Sequence, residues 1–184
     1  MIKPYANDRS KKEQVRDMFD GIAPTYDFLN RFLSLGIDIG WRKKALKMLK
    51  GYNMDQLVDI ATGTGDFAFM AEEILKPHHI TGVDLSPQML EVARKKNKSP
   101  YINFITGDSE ALPFGSNTFD AATVAFGVRN FEDLQVGLKE INRILKPGAP
   151  LMVLEFSRIE KFPMKQLFFI YSRYILPVIG KIFS

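Results

Sequence analysis

Apolar runs and amphipathic stretches alternate along most of the chain. Leu57–Ala61, Ile80–Leu85, Ile102–Thr106, Phe119–Phe126 and Leu151–Phe156 are short apolar runs of strand length. Between them, Phe67–Leu75, Pro87–Lys95 and Leu134–Leu145 carry helical spacing. Pro77 stops the first of these helices, Ser86 and Pro87 open the second, and Lys146-Pro147-Gly148 ends the third. Such alternation predicts an α/β domain: a parallel sheet, helices on both faces and a ligand at the carboxyl ends of the strands. Upstream, Met18, Phe19, Ile22, Tyr26, Leu29 and Phe32 recur at helical spacings broken near Pro24. Ile37–Leu49 predicts an amphipathic helix in which Trp41, Ala45, Met48 and Leu49 share one side. The pattern divides the chain into a helical cap over residues 1–50 and a core over residues 51–184.

The turn between the first strand and the first helix reads Thr62-Gly63-Thr64-Gly65-Asp66. Glycines there let the backbone bend sharply and approach a nucleoside cofactor without an intervening Cβ. Gly63-x-Gly65-x-x-Ala68 formally satisfies a dinucleotide fingerprint with alanine in its last place. The neighbouring acids point elsewhere. A pyrophosphate seeks bare N–H groups and positive potential at a helix N-terminus, and Asp66 would oppose it. A cofactor carrying an ammonium and a sulfonium but no phosphate would be drawn toward Asp59 and Asp66, and S-adenosylmethionine is such a cofactor. The competing reading of Asp66 is an ordinary N-terminal acid stabilised by the helix macrodipole.

Asp84, followed by Leu85, closes the second strand about twenty residues further on, where an acid binds both hydroxyls of a cofactor ribose. Gly107-Asp108-Ser109 ends the third strand and places Asp108 to accept a hydrogen bond from an adenine amino group. Acids at successive strand ends, without a basic residue for phosphate, favour adenosylmethionine over a dinucleotide. After the fourth strand, Phe126-Gly127-Val128-Arg129-Asn130 brings a cation and an amide to the same edge. Arg129 is either a surface ion-pair partner or the electrostatic partner of an acceptor oxygen that gains negative charge.

Length and composition change this picture little. The 184 residues, 46% hydrophobic and 25% charged, suit one globular domain. The absence of cysteine excludes disulfides and thiol chemistry, and the adjacent His78 and His79 offer no metal site. A formal charge of +4 and a pI near 9.2 fit an anionic membrane surface or nucleic acid without choosing between them. No aromatic-interleaved basic patch supports nucleic acid. Lys3–Arg16 reads as a mobile arm leading into a helix, and its charged start is no secretory signal, which predicts a cytoplasmic protein. Phe162–Ser184 is apolar but broken by Arg173, Pro177, Gly180 and Lys181, so it cannot span a membrane. It reads as a helix packed on the sheet, with an amphipathic contact on a membrane or a partner as the alternative.

Tyr26-Asp27-x-x-Asn30, Ser34-x-Gly36, Trp41-Arg42, Asp59-Ile-Ala-Thr-Gly-Thr-Gly-Asp66, Gly107-Asp-Ser-Glu-Ala-Leu-Pro-Phe114, Phe126-Gly-x-Arg-Asn130 and Leu154-Glu-Phe-Ser157 together resemble the UbiE/MenG family. This resemblance covers essentially the whole chain. It implies a Rossmann-like class I methyltransferase fold and transfer of a methyl group from S-adenosylmethionine to demethylmenaquinol, or in some bacteria to a ubiquinol precursor. On the cofactor side it implies Thr62, Asp84, Asp108 and Ser109, which join Asp59, Gly63, Gly65, Leu85 and Ala125 as candidates. On the acceptor side stand Arg129, Asn130, Tyr26 and Asp27, with Asp27 or a water it holds as a candidate general base. Ala125 stands where some members carry a serine, and Gly148-Ala149-Pro150 replaces a Gly-Gly-Arg-like turn. Members continue further and supply two more strands, so the chain reads as C-terminally shortened. A prenylated quinol would give the apolar tail a place at the inner face of the cell membrane, and a homo-oligomer stays open. Methylation of another small molecule or of RNA, and cofactor binding without catalysis, are the competing functions.

Overall fold

The computed structural model describes residues 8–156. Helix α1 (Lys11–Ile22) opens on a reciprocal cap, in which the Ser10 hydroxyl accepts the Glu13 N–H and the Glu13 carboxylate accepts the Ser10 N–H. Pro24 has no N–H to continue that helix, and a 3-10 turn over Ala23–Thr25 leads into α2 (Tyr26–Ser34). Leu35 and Gly36, at φ 51° and 75°, reverse the chain into α3 (Ile37–Met48). The alternating part follows as β1 (Gln56–Ile60), α4 (Asp66–Leu75), β2 (His79–Asp84), α5 (Pro87–Lys96), β3 (Ile102–Thr106), β4 (Ala121–Ala125), α6 (Leu134–Ile144) and β5 (Leu151–Leu154).

All neighbouring strands pair in parallel, in the order β3-β2-β1-β4-β5. The order reverses between β1 and β4, so the connections leave those two strands in opposite directions and open a crevice at their carboxyl ends. Alternate residues of each strand feed opposite cores. Leu57, Ile80 and Phe104 cluster with Leu46, Phe67 and Leu90 from α3, α4 and α5. Val58, Ile60, Val83 and Val124 cluster with Ile141 and Ile144 of α6.

Two expectations need correction. The fourth strand begins at Ala121 rather than Phe119, although Phe119 is buried, and it stops at Ala125 because Phe126 turns left-handed at φ 58°. In α3 the buried stripe is Asp38, Arg42, Ala45 and Leu46, continued by Leu49, whereas Trp41 and Met48 are 43% and 73% exposed. At about 100° per residue the exposed pair lies roughly a quarter turn from the stripe that meets α4. Ala45, Leu46 and Leu49 join the sheet's own core, so a boundary at residue 50 does not separate α3 from it. The Phe162–Ser184 segment lies outside the described residues. Among the described residues, no helix is long and apolar enough to cross a membrane.

Candidate active site

The glycine turn is built by the acids around it. Asp59, 1% exposed near the end of β1, accepts the hydroxyls of Thr62 and Thr123, each at 2.6 Å. Asp84, the last residue of β2, accepts the Gly63 N–H at 2.7 Å through Oδ2 and the Ser86 N–H at 2.9 Å through Oδ1. The turn is thereby pinned to both strands. Gly65 takes φ 81°, and a Cβ there would come 2.8 Å from Phe104 Cζ. Ala61 and Phe126 end β1 and β4 in the left-handed region at φ 54° and 58°, a backbone strain that gathers at functional sites. A Cβ on Gly127 would meet Ala61 at 2.6 Å, so these two strand ends touch.

Above this edge lies a cavity open to solvent. Of the sequence candidates, Gly63, Asp84, Leu85, Asp108, Ser109, Ala125 and Asn130 line it from the strand ends and the turns that follow them, and Tyr26 lines it from α2. Asp59, Thr62, Gly65, Asp27 and Arg129 do not line it. Asp59 sits one pleat before the strand end and points among threonines. Asp27 is committed elsewhere: it accepts the Thr64 hydroxyl through one oxygen and Lys96 Nζ, at 2.7 Å, through the other. As a general base it is therefore poorly placed.

Helix α1 forms one cavity wall, and its first half, Lys11–Arg16, falls in the stretch expected to be a mobile arm. Lys12, Val15, Arg16 and Phe19 line the cavity at one-face helical spacing. That spacing was visible in the sequence, but charge density had marked Lys3–Arg16 as a mobile arm. From Lys11 onward it is docked. Lys11 is 7% exposed and donates to the carbonyls of Arg129, at 2.9 Å, and Phe131. Lys12 pairs with Asp108 and, at 3.4 Å, with Glu110. The expectation of a cavity without basic residues is thus not met. Yet Lys12 is neutralised by two acids, and Arg16 hydrogen-bonds Asp17.

Arg129 pairs with Glu155 beyond the end of β5 and lies 5.4 Å over the Phe156 ring. Burial pushes the Tyr26 phenol up, opposed by a hydrogen bond with Asn30 and by the charges of Arg42 and Arg129. Tyr26 therefore meets the cavity protonated, as a hydrogen-bond donor. Burial also raises the Asp84 carboxyl, against its backbone hydrogen bonds. Asp66, credited above with attracting a cationic cofactor, instead binds Arg31 and Lys96, each at 2.6 Å.

A parallel sheet that reverses after β1, a glycine turn, and acids at the ends of β2 and β3 over one cavity define a class I methyltransferase fold. An S-adenosylmethionine-dependent methyltransferase of Thermotoga maritima shares it with a TM-score of 0.60 at 28% identity, over 75% of this chain and 60% of that one. An S-adenosyl-L-methionine-dependent methyltransferase structure from Methanococcus maripaludis matches over 98% of this chain and 80% of its own, with a TM-score of 0.62 at 21% identity. The cyclase SpnF reaches 0.68 at 22% identity, over 83% of this chain and 62% of its own, so the fold alone does not choose the chemistry.

The family model does. The chain belongs to the ubiE/COQ5 methyltransferase family, whose model matches residues 7–184. The demethylmenaquinone methyltransferase of Bacteroides fragilis is 52% identical over 100% of this chain and 76% of its own length. The ubiquinone/menaquinone biosynthesis C-methyltransferase UbiE of Geotalea daltonii is 45% identical over 95% of this chain and 76% of its own. Membership makes S-adenosylmethionine the methyl donor. The cavity fits that donor: nothing lies within 4 Å of where a Gly63 side chain would begin, and the Asp84 and Asp108 carboxylates line the space beyond.

Proposed function

We propose that the protein methylates a ring carbon of demethylmenaquinol, with a ubiquinol precursor as a secondary acceptor. The observation that carries this reading is the 52% identity to a demethylmenaquinone methyltransferase across the whole chain, and a cavity lined by Asp84, Asp108, Tyr26 and Asn130 supports it. S-adenosylmethionine supplies an electrophilic methyl group there. Asp84 holds the ribose hydroxyls, Asp108 accepts from the adenine amino group, and Gly63, Leu85, Ser109 and Ala125 complete the donor side. Asp59, Thr62 and Gly65 act through the turn they shape.

On the acceptor side, α1 and α2 act as the cap. Phe19 and Tyr26, ring centroids 6.0 Å apart, give the quinol ring an aromatic wall. A hydroquinone hydroxyl ionises near pH 10, like a phenol, and little of it is anionic at neutral pH. Arg129, outside the lining and paired with Glu155, favours the anion only by the longer-range charge that also reaches Tyr26, while Asn130 and the Tyr26 hydroxyl orient the oxygens. Methyl transfer from that donor would form the carbon–carbon bond as the methyl–sulfur bond broke, with the electron pair kept by sulfur and the ring proton lost to solvent. A lipophilic acceptor also places the protein at the inner face of the membrane.

Incubation with methyl-labelled donor and either demethylmenaquinol, a ubiquinol precursor or RNA tests the reading. Label on the demethylmenaquinol ring is expected. Label on RNA alone would overturn it, and tight donor binding without turnover on any acceptor would mark a binding module.

A further inference from the structure

The residues that α3 turns outward form a coherent surface. Ile37, Trp41 and Met48 follow one line along the helix and are 53%, 43% and 73% exposed, and Leu35, 82% exposed, precedes them. Lys44 and Lys47 are exposed beside that line, Lys43 and Lys50 are exposed further round the same end of the helix, and among the described residues none of the four forms an ion pair. The one acid of α3, Asp38, is buried and held by Arg31, Arg42 and Ser34. Uncompensated cations bordering an apolar line match an anionic lipid interface: the cations meet headgroups and the apolar residues enter the acyl boundary. The surface is also continuous with the cavity. Trp41 meets Phe156 edge-on at 5.9 Å, Phe156 stacks on Phe126 at 4.6 Å, and Phe126 lines the cavity.

We propose that this face of α3 docks the protein on an anionic bilayer, with Trp41, Phe156 and Phe126 forming an aromatic path from lipid to cavity. The path draws its purpose from the reading of a prenylated quinol as acceptor; the docking surface stands on exposure and charge. Trp41 is the single tryptophan of the chain, so its emission reports the event directly.

The experiment mixes the protein at low salt with vesicles of phosphatidylglycerol and phosphatidylcholine, or of phosphatidylcholine alone. With anionic vesicles, Trp41 emission should shift to the blue and be quenched by brominated acyl chains. A Lys43→Glu, Lys44→Glu, Lys47→Glu variant should bind those vesicles about tenfold or more weakly while binding adenosylhomocysteine as before, which confirms its fold. No vesicle binding, or binding with Trp41 unquenched and the triple variant unaffected, would overturn the proposal. The second outcome would move the contact to another segment, such as residues 157–184. A concentration-dependent blue shift without lipid would instead assign the face to a second protein copy. Methyl transfer to a short-chain soluble quinol, measured in parallel, keeps the two readings apart. Its failure alongside intact, lysine-dependent vesicle binding would reject the acceptor and leave the surface standing.

Discussion

Asp59 lies beneath the glycine turn with two threonine hydroxyls on its carboxylate and almost no solvent. Burial pushes its pKa up to about 6, against the opposing pull of Thr123, Thr62 and the Arg42 charge. An unfolded aspartate titrates near 3.9, so between roughly pH 4 and pH 6 the folded state binds more protons than the unfolded state. Stability from this residue is therefore greatest below that window and declines as pH rises through it, by about 3 kcal/mol at most. Asp59→Asn should flatten this part of the profile: the difference in urea stability between wild type and variant should change between pH 4 and 7, and a constant difference would reject the assignment. Lys11 makes a second residue-scale case. Its ammonium satisfies two carbonyls in the turn that carries Asn130. Lys11→Met should cost about 1–3 kcal/mol, read as a lower urea midpoint with unchanged slope. The sequence showed both residue types at the right places. It did not show that one acid would face threonines and one lysine would face carbonyls, because burial and partner depend on chain brought in from far away.

Among the elements, α2 has the weakest apolar anchorage, since none of its residues is fully buried. Charge holds it instead. Lys96, in the last turn of α5, donates to Asp27 of α2 at 2.7 Å and to Asp66 of α4 at 2.6 Å, and Arg31 of α2 reaches Asp66 and Asp38. Burial alone would raise the Asp66 carboxyl, but Lys96 and Arg31 more than offset it and leave the group below its ordinary range. The contribution of Asp66 is accordingly present at neutral pH and lost only as pH falls through that lowered value. Lys96→Met should loosen α2 by about 1 kcal/mol and speed amide exchange there, while β1 and β4 keep their protection. Equal acceleration throughout would show that the latch supports the whole domain rather than the cap. The sequence located α4 and α5 within a residue from periodicity, proline and caps, and gave α2 only as helical spacing after the break at Pro24. It left Asp66 between a cofactor residue and an ordinary N-terminal acid of the helix, because the cations that bind it lie 30 and 35 residues away.

For the whole molecule, the decisive quantities are topology and the surface it leaves outside. If α3 meets lipid through lysines, methyl transfer to a vesicle-borne quinol should fall as salt rises, because screening shortens the Debye length from about 10 Å at 0.1 M to about 3 Å at 1 M. Transfer to a short-chain soluble acceptor should not fall with it, and parallel losses in both assays would trace the salt effect to the cavity itself.

The order of strands and helices, the glycine turn and the acids at the ends of β2 and β3 were determined by the sequence alone, because hydrophobic period, turn chemistry and strand ends are local properties of the chain. Only the tertiary structure decided which candidates share one cavity. Asp84 ends its strand and reaches the cavity, whereas Asp59, one residue short of the end of β1, is enclosed. Tertiary packing likewise set the face of α3: its contact with α4 took Asp38, Arg42, Ala45 and Leu46 inward and left Trp41 and Met48 to the solvent. Helical spacing defines a set of possible faces, and the neighbour that packs against the helix selects one of them.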